Sequence, residues 1–423
     1  MSQPVHMLTA KQALHRMQAG TLDPVTLMEA CLERVAAREP TIRAFATIDP
    51  AAALAAARAA GPGPLHGLPI GVKDVLDTAD LPSEYGSPIW AVWRPRADSA
   101  PVAWARAAGA VVMGKTVTTE FATRKPGPTG NPANPAHTPG GSSSGSAAGV
   151  ADGMFPLAYG TQTAGSIIRP AAYCGAVGYK PSFGTIDRAG MKIMSASLDT
   201  VGVMARSVAD CALFAGAVSG RDLGDPDVRP GRAPRIGLCL SPSWDGAAPE
   251  TQALLPQVAE VLARAGATVR DFALPSDCAA LKDAHPIVMN AESARALGWE
   301  LAHHPEAISE ALRDRLAFGL AQDSAALAGA YGVFESTQLG FGPAMGDLDI
   351  LVTPSAPGEA PEGLDWTGDP AFNFIWTSLH VPCVTVPAGL GRNGMPLGIQ
   401  IVGRRGDDRA VLAWAQWVAA AIG

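Results

Sequence analysis

The chain has 423 residues, 48% of them apolar and 17% charged, with a formal net charge of −7. That composition excludes a disordered protein, and the scattered Lys and Arg form no block to follow a phosphate backbone, so no nucleic-acid partner is expected. No run of about 18 apolar residues occurs, and the start MSQPVHMLTAKQALHRMQAG has no charged-then-apolar leader. Neither a membrane span nor a secretory signal is therefore expected.

Taken in chain order, residues 9–19 read as a helix stopped by Gly20. Asp23-Pro24 supplies an N-cap and a first-turn proline for a helix running to about Arg38. A strand is predicted over 41–48. Asp49-Pro50 opens an Ala-rich helix ending at Gly61, and LPIGVKDV at 68–75 reads as a buried strand. Ala100–Ala108 is predicted helical and AVVMG at 110–114 a strand. This alternation predicts an α/β fold with a substantially parallel sheet. From Thr119 to Gly145 the chain is packed with Gly, Pro, Asn and Ser, a composition that predicts a long functional loop. A small-residue helix and a strand follow in SAAGVADGMFPLAYG, then a loop opening a helix in TQTAGSIIRPAAYCG. The polar segment 219–235 reads as a linker. RIGLCL and ATVRDFAL read as strands around a helix stopped near Gly266, and helical pattern continues to about 345. The end gives strands in LDILVTP, CVTVPAG and LGIQIVG, closed by a helix over 408–422.

The six cysteines, Cys31, Cys174, Cys211, Cys239, Cys278 and Cys383, form no C-x-x-C and mostly sit in apolar runs. They read as reduced, buried thiols of a cytoplasmic protein. No H-E-x-x-H, G-x-G-x-x-G or phosphate-loop motif is present, so no metal, dinucleotide or nucleotide cofactor is expected.

Three features carry chemistry. Lys73 is one of seven lysines against twenty-five arginines, and it ends an apolar strand. A buried lysine can lose its proton, whereas arginine cannot, although a lysine snorkelling from a strand end is the plainer reading. Gly140-Gly141-Ser142-Ser143-Ser144-Gly145 places three hydroxyls among glycines, as a linker or a helix cap also would. Gly160-Thr161-Gln162-Thr163-Ala164-Gly165-Ser166 leads small residues to a serine before a helix. Such a turn can aim successive backbone N–H groups at one point.

In this order and with these flanks, the chain resembles the amidase signature family of serine hydrolases. The stretches that carry the resemblance are GLPIGVKD, NPANPAHTPGGSSSGSAAGVADG, LAYGTQTAGSIIRPAAYCGAVGYKPSFG and PCVTVPAGL…GMPLGIQIVG. It runs from the early helices to the last one and is weakest over 219–345. The resemblance implies one α/β domain over 1–423, a large mixed sheet wrapped by helices, with 219–345 as a peripheral portion. It implies Ser166 as nucleophile, Ser142 as a cis-peptide serine and Lys73 as general base. The backbone N–H groups of Thr163, Ala164, Gly165 and Ser166 would form the oxyanion hole. Ser143 and Ser144 would be supporting hydrogen-bonders or caps. The implied activity is hydrolysis of a small carboxylic amide to acid and ammonia through an acyl-enzyme. The implied partner is a small-molecule amide, with a homodimer as an admissible assembly. Three alternatives remain: an ester or urea-type C–N hydrolase, the glutaminase component of an amidotransferase, and a non-catalytic interaction component.

Gly141-Ser142-Ser143-Ser144-Gly145 also fits the G-x-S-x-G elbow, with Ser143 as nucleophile and His137 as a candidate base. That motif needs a strand directly before it, and NPANPAHTP is not one. Two departures from the family pattern point to its malonamidase-like bacterial branch. An arginine stands three residues after the nucleophile, at Arg169, and Gln162 replaces an acidic residue. Arg169 would either face the pocket and grip a substrate carboxylate or clamp the turn. Gln162 is a candidate substrate contact. Trp376, in the segment with Phe372, Asn373 and Thr377, is a candidate pocket wall, aromatic core being the alternative.

Overall fold

The computed structural model describes residues 3–423. Helix starts follow the caps in the sequence. Thr9 and Gln12 form a capping box, Asp23 Oδ1 accepts the Thr26 N–H at 2.9 Å, and Asp49 Oδ1 accepts that of Ala52 at 3.0 Å. The second helix, Pro24–Ile42, outruns its expected end and passes through Pro40. Its exit is fixed instead by Arg43 in the left-handed region and by the Glu39 carboxylate, which accepts the Ala44 and Phe45 N–H groups at 2.9 and 2.8 Å.

Eleven strands form one continuous sheet: β1 (Phe45–Ile48), β2 (Pro69–Lys73), β3 (Val111–Thr116), β4 (Leu157–Gln162), β5 (Val177–Lys180), β6 (Thr200–Ala205), β7 (Arg235–Leu238), β8 (Thr268–Asp271), β9 (Ile350–Pro354), β10 (Cys383–Leu390) and β11 (Pro396–Val402). Their order is β1-β3-β2-β4-β6-β5-β10-β11-β9-β7-β8. Six of the ten pairings are antiparallel, so the sheet is mixed rather than substantially parallel. Apolar runs announce buried strands but carry no orientation; that is set by where the chain returns.

One apolar cluster packs β2–β6 and β9–β11 against surrounding helices, and a second lies under the helices Leu281–Ala296 and Ser324–Ala344. Residues 219–345 supply β7 and β8 as well as the helices that close one side of the site described below. All six thiols are buried and unpaired. No helix of the described residues is long and apolar enough to cross a membrane.

The topology makes the site. β2 runs parallel to both β3 and β4, so their carboxyl ends share one edge of the sheet. Lys73 ends β2 and Gln162 ends β4. The helix Ser144–Ala151 brings the glycine–serine loop to the same edge, packed so close that a β-carbon on Gly145 would lie 2.0 Å from the Ala44 carbonyl oxygen. Clefts outside strand carboxyl ends are where open α/β sheets hold ligands.

Candidate active site

Lys73 is fully buried. Its Nζ donates to Ser142 Oγ and to Thr161 Oγ1, both at 2.6 Å, and reaches the Thr161 carbonyl oxygen at 3.4 Å. Among the described residues no carboxylate bonds to it. Burial pulls its ammonium down from 10.5 to about 7, with the more distant Asp199 charge opposing. Ser142 is buried too, and the Gly141–Ser142 peptide is cis. Ser143 Oγ sits against the Thr161 backbone, donating to its carbonyl at 3.3 Å and accepting its N–H at 3.2 Å. Ser144 Oγ donates to the Val117 carbonyl. The elbow alternative fails here, because the helix beginning at Ser144 is preceded by loop. His137 is engaged elsewhere, its ring nitrogen 2.8 Å from the Ala360 carbonyl oxygen.

The Thr163–Ser166 turn leads from β4 into the helix Ile168–Cys174. None of its four backbone N–H groups donates to a turn, a cap or a side chain among the described residues, whereas their carbonyls are held from several directions. His285 Nε2 lies 3.0 Å from the Thr163 carbonyl oxygen, and burial lowers this imidazole to about 4, so it is the neutral ring that donates. Thr377 Oγ1 donates to the Ala164 carbonyl at 2.8 Å, and the Arg169 N–H to that of Gly165 at 3.0 Å. The Thr163 hydroxyl donates to Asp199 Oδ1 at 2.5 Å; burial raises this carboxyl, while the Met194 and Ser195 N–H groups also bind it. Gly165 tolerates no side chain, since a β-carbon would lie 2.5 Å from Asn373 Oδ1. Free N–H groups on a braced turn can receive a developing negative charge without reorganising.

Ser166, 9% exposed, opens onto a cavity of about 280 Å³ together with Thr163, Ala164 and Arg169. The Lys73–Ser142 hydrogen bond is formed; a Ser142–Ser166 hydrogen bond is not among those of the structure. Arg169 is buried and lines the cavity. Its Nη2 donates to the Gly141 carbonyl at 2.6 Å and to Thr367 Oγ1 at 3.3 Å, while Nε and Nη1 have no partner among the described residues. No acid pairs with it, and burial lowers it only to about 10, so it keeps its charge at neutral pH.

Two expected contacts are corrected. Gln162 does not face the cavity. Its Oε1 accepts the Ile167 and Ile168 N–H groups at 2.9 and 3.0 Å, and its Nε2 donates to Thr377 Oγ1 at 3.0 Å, so it caps the helix after the turn. Trp376 is fully buried in the second apolar cluster, its ring centroid 6.0 Å from that of Phe341. The wall is built by Trp366–Pro370 and Phe374 instead. Thr161 and Thr163, by contrast, lie within the quoted motif. Asp199 and His285 had no local signal and are found only through the fold.

A large mixed sheet wrapped by helices, with this edge site, is the architecture of amide-hydrolysing enzymes. The family model described as Amidase matches residues 26–412, and the chain belongs to that family, the amidase signature enzymes. It is 34% identical over 464 residues to a glutamyl-tRNA(Gln) amidotransferase subunit from Chloroflexus aggregans, covering 96% of this chain and 95% of that one. Its structure is similar to that of a solved amidase, with a TM-score of 0.90, 30% identity and coverage of 98% and 100% of the two chains. It is also similar to the peptide amidase from Stenotrophomonas maltophilia, with a TM-score of 0.83, 30% identity and coverage of 98% and 96%. The protein is an amidase, an enzyme hydrolysing amides.

The burial of Trp376 gives a test. Trp376→Ala should cost stability by about 3–5 kcal/mol in denaturant unfolding, the usual range for a large aromatic truncated in a core. Trp376→Phe should leave substrate ranking unchanged. A Trp376→Phe variant of normal stability but altered ranking would return Trp376 to the pocket wall.

Proposed function

We propose that this amidase cleaves a small amide bearing a carboxylate near the scissile carbonyl, releasing ammonia through an acyl-enzyme on Ser166. The observation that carries the reading is the Lys73 Nζ–Ser142 Oγ contact of 2.6 Å in a site without a charge partner for the lysine. Neutral Lys73 takes a proton from Ser142 as Ser142 takes one from Ser166, and Ser166 Oγ adds to the carbonyl carbon. The N–H groups of Thr163, Ala164, Gly165 and Ser166 hold the oxyanion. Collapse breaks the C–N bond, with Ser142 returning the proton to nitrogen and Lys73 restoring that of Ser142. Water then enters by the same relay and releases the acid. The Ser142–Ser166 link closes with substrate in place, as catalytic hydrogen bonds often do.

Arg169 supports the carboxylate. A buried guanidinium with two nitrogens unpartnered is costly unless an anion meets it, and a carboxylate fits that fork. We read residues 1–423 as one amidase domain, supported by the single continuous sheet and the family match over 26–412.

A second reading is favoured by the amidotransferase relatives, in which the chain would act only alongside partner subunits. Turnover of small amides by the isolated chain separates the two, since an obligate component of a complex would show none.

Ser166→Ala should abolish turnover and labelling by a fluorophosphonate probe; retained turnover would remove Ser166 from the reaction. In the wild type the rate should rise with pH through about 7, because the base is active only after Lys73 loses its proton. Lys73→Arg should be as inert as Lys73→Ala, and a flat profile with chemistry limiting would count against Lys73.

The carboxylate is tested by paired substrates. A charged hydrogen bond is worth about 1.5–3 kcal/mol, so kcat/KM should favour the carboxylate-bearing amide by about tenfold to a hundredfold. Arg169→Ala should erase that preference. An equal loss on both substrates would make Arg169 a clamp on the Gly141 carbonyl and nothing more.

A further inference from the structure

Arg169 is one of four cations around the cavity. Arg124, Lys282 and Arg315 also line it, against a single carboxylate, that of Asp369. Among the described residues none of these three takes part in an ion pair. They arrive from three separate segments: Arg124 from the loop after β3, Lys282 from the helix Leu281–Ala296, and Arg315 from the helix Glu310–Leu320. Their convergence is therefore not the charged face of one helix.

The charges act on one another. Burial and the Arg124 charge lower the Arg315 guanidinium to about 10, and Arg124 also lowers Arg169. Four cations gathered around one carboxylate raise the energy of the empty site, and an anion of matching shape relieves it. The chain as a whole carries −7, so a basic cavity is not a sample of a basic surface. Lys282 and Arg315 also come from the stretch 219–345, outside the motifs that carry the family resemblance.

We infer that the substrate carries a second anionic group, distal to the carboxylate gripped by Arg169, and that Arg315 receives it with Arg124 and Lys282 at the rim. The first half of that statement rests on the carboxylate reading given above. Arg315 is half-buried and offers a guanidinium fork to a carboxylate or phosphate-type head group. Arg124 and Lys282 are exposed, and their contribution is attraction over distance, screened beyond about 10 Å at 0.1 M salt. A cavity of about 280 Å³ keeps the ligand small.

Calorimetric binding to the wild-type protein tests this without turnover. The probes are the α,ω-dicarboxylates from malonate to adipate, each against the monocarboxylate of equal length. At low salt at least one dicarboxylate should bind tenfold or more tighter than its monocarboxylate, and the advantage should shrink as salt is added. Arg315→Gln should bring that affinity ratio towards one. Lys282→Ala, an exposed change that keeps the test open if Arg315→Gln fails to fold, should reduce it severalfold. The same series with ω-phosphonoalkanoates tells which head group fits better. No advantage for any dianion in the wild type, or an unchanged ratio in the folded variants, would overturn the inference. If the hydrolytic reading failed instead, amide cleavage would be missing while the dianion advantage remained.

Discussion

The site depends on keeping one lysine buried without a carboxylate. Three lysines in this chain are fully buried, and each is accommodated differently. Lys115 lies 2.9 Å from Asp74 Oδ1, a closed ion pair. Lys180 donates to the Val381 and Pro181 carbonyls at 2.5 and 3.0 Å. Lys73 meets two hydroxyls at 2.6 Å, with the Thr161 carbonyl oxygen farther off. Hydroxyls can donate as well as accept, so they can hydrogen-bond either the neutral amine or the ammonium. Carbonyls and carboxylates accept only from the protonated form or the remaining N–H groups. Of the three, Lys73 is the one whose two close partners are both hydroxyls, so its amine has hydrogen-bond partners in either protonation state.

The residues around Lys73 and the Thr163–Ser166 turn hold the geometry of both. The parallel β2–β4 pairing sets Lys73 and the Thr163–Ser166 turn at one sheet edge. Gln162 caps the following helix, and Thr377, His285 and Asp199 occupy the turn's carbonyls and hydroxyl. With its acceptors engaged, the turn keeps its N–H groups free to meet a substrate oxygen. These braces come from β4, from the helices Leu281–Ala296 and Phe374–Ser378, and from the approach to β6, so the turn's shape is a property of the whole fold.

What could be read in the sequence was what is local. Asp23 and Asp49 start their helices as expected, because a cap is a contact between residues three apart. Lys73, Ser142 and Ser166 stood out through their immediate flanks, and the fold gathers those flanks at one edge. Contacts made across the chain were illegible. Gln162 reaches Thr377 and His285 reaches Thr163, over separations of 215 and 122 residues. Trp376 shared a segment with true neighbours of the site, but the two residues from Phe374 to Trp376, about half a helical turn, separate a wall from a core, and burial on all sides is not visible in a short stretch. The clustering of Arg124, Lys282 and Arg315 was likewise hidden, since basic residues scattered in sequence can still converge in space.

Burial, and no adjacent charge, brings the Lys73 ammonium down into the neutral range. Titrating the Lys73 side chain directly measures this, by following its Cε or Nζ resonance in protein labelled at lysine, with Lys73→Ala identifying the signal. Seven lysines keep such a spectrum simple. A midpoint near 7 is expected, against about 10.4 for a solvent-exposed lysine. A midpoint near 10.5, or a signal that stays protonated through pH 9, would contradict it.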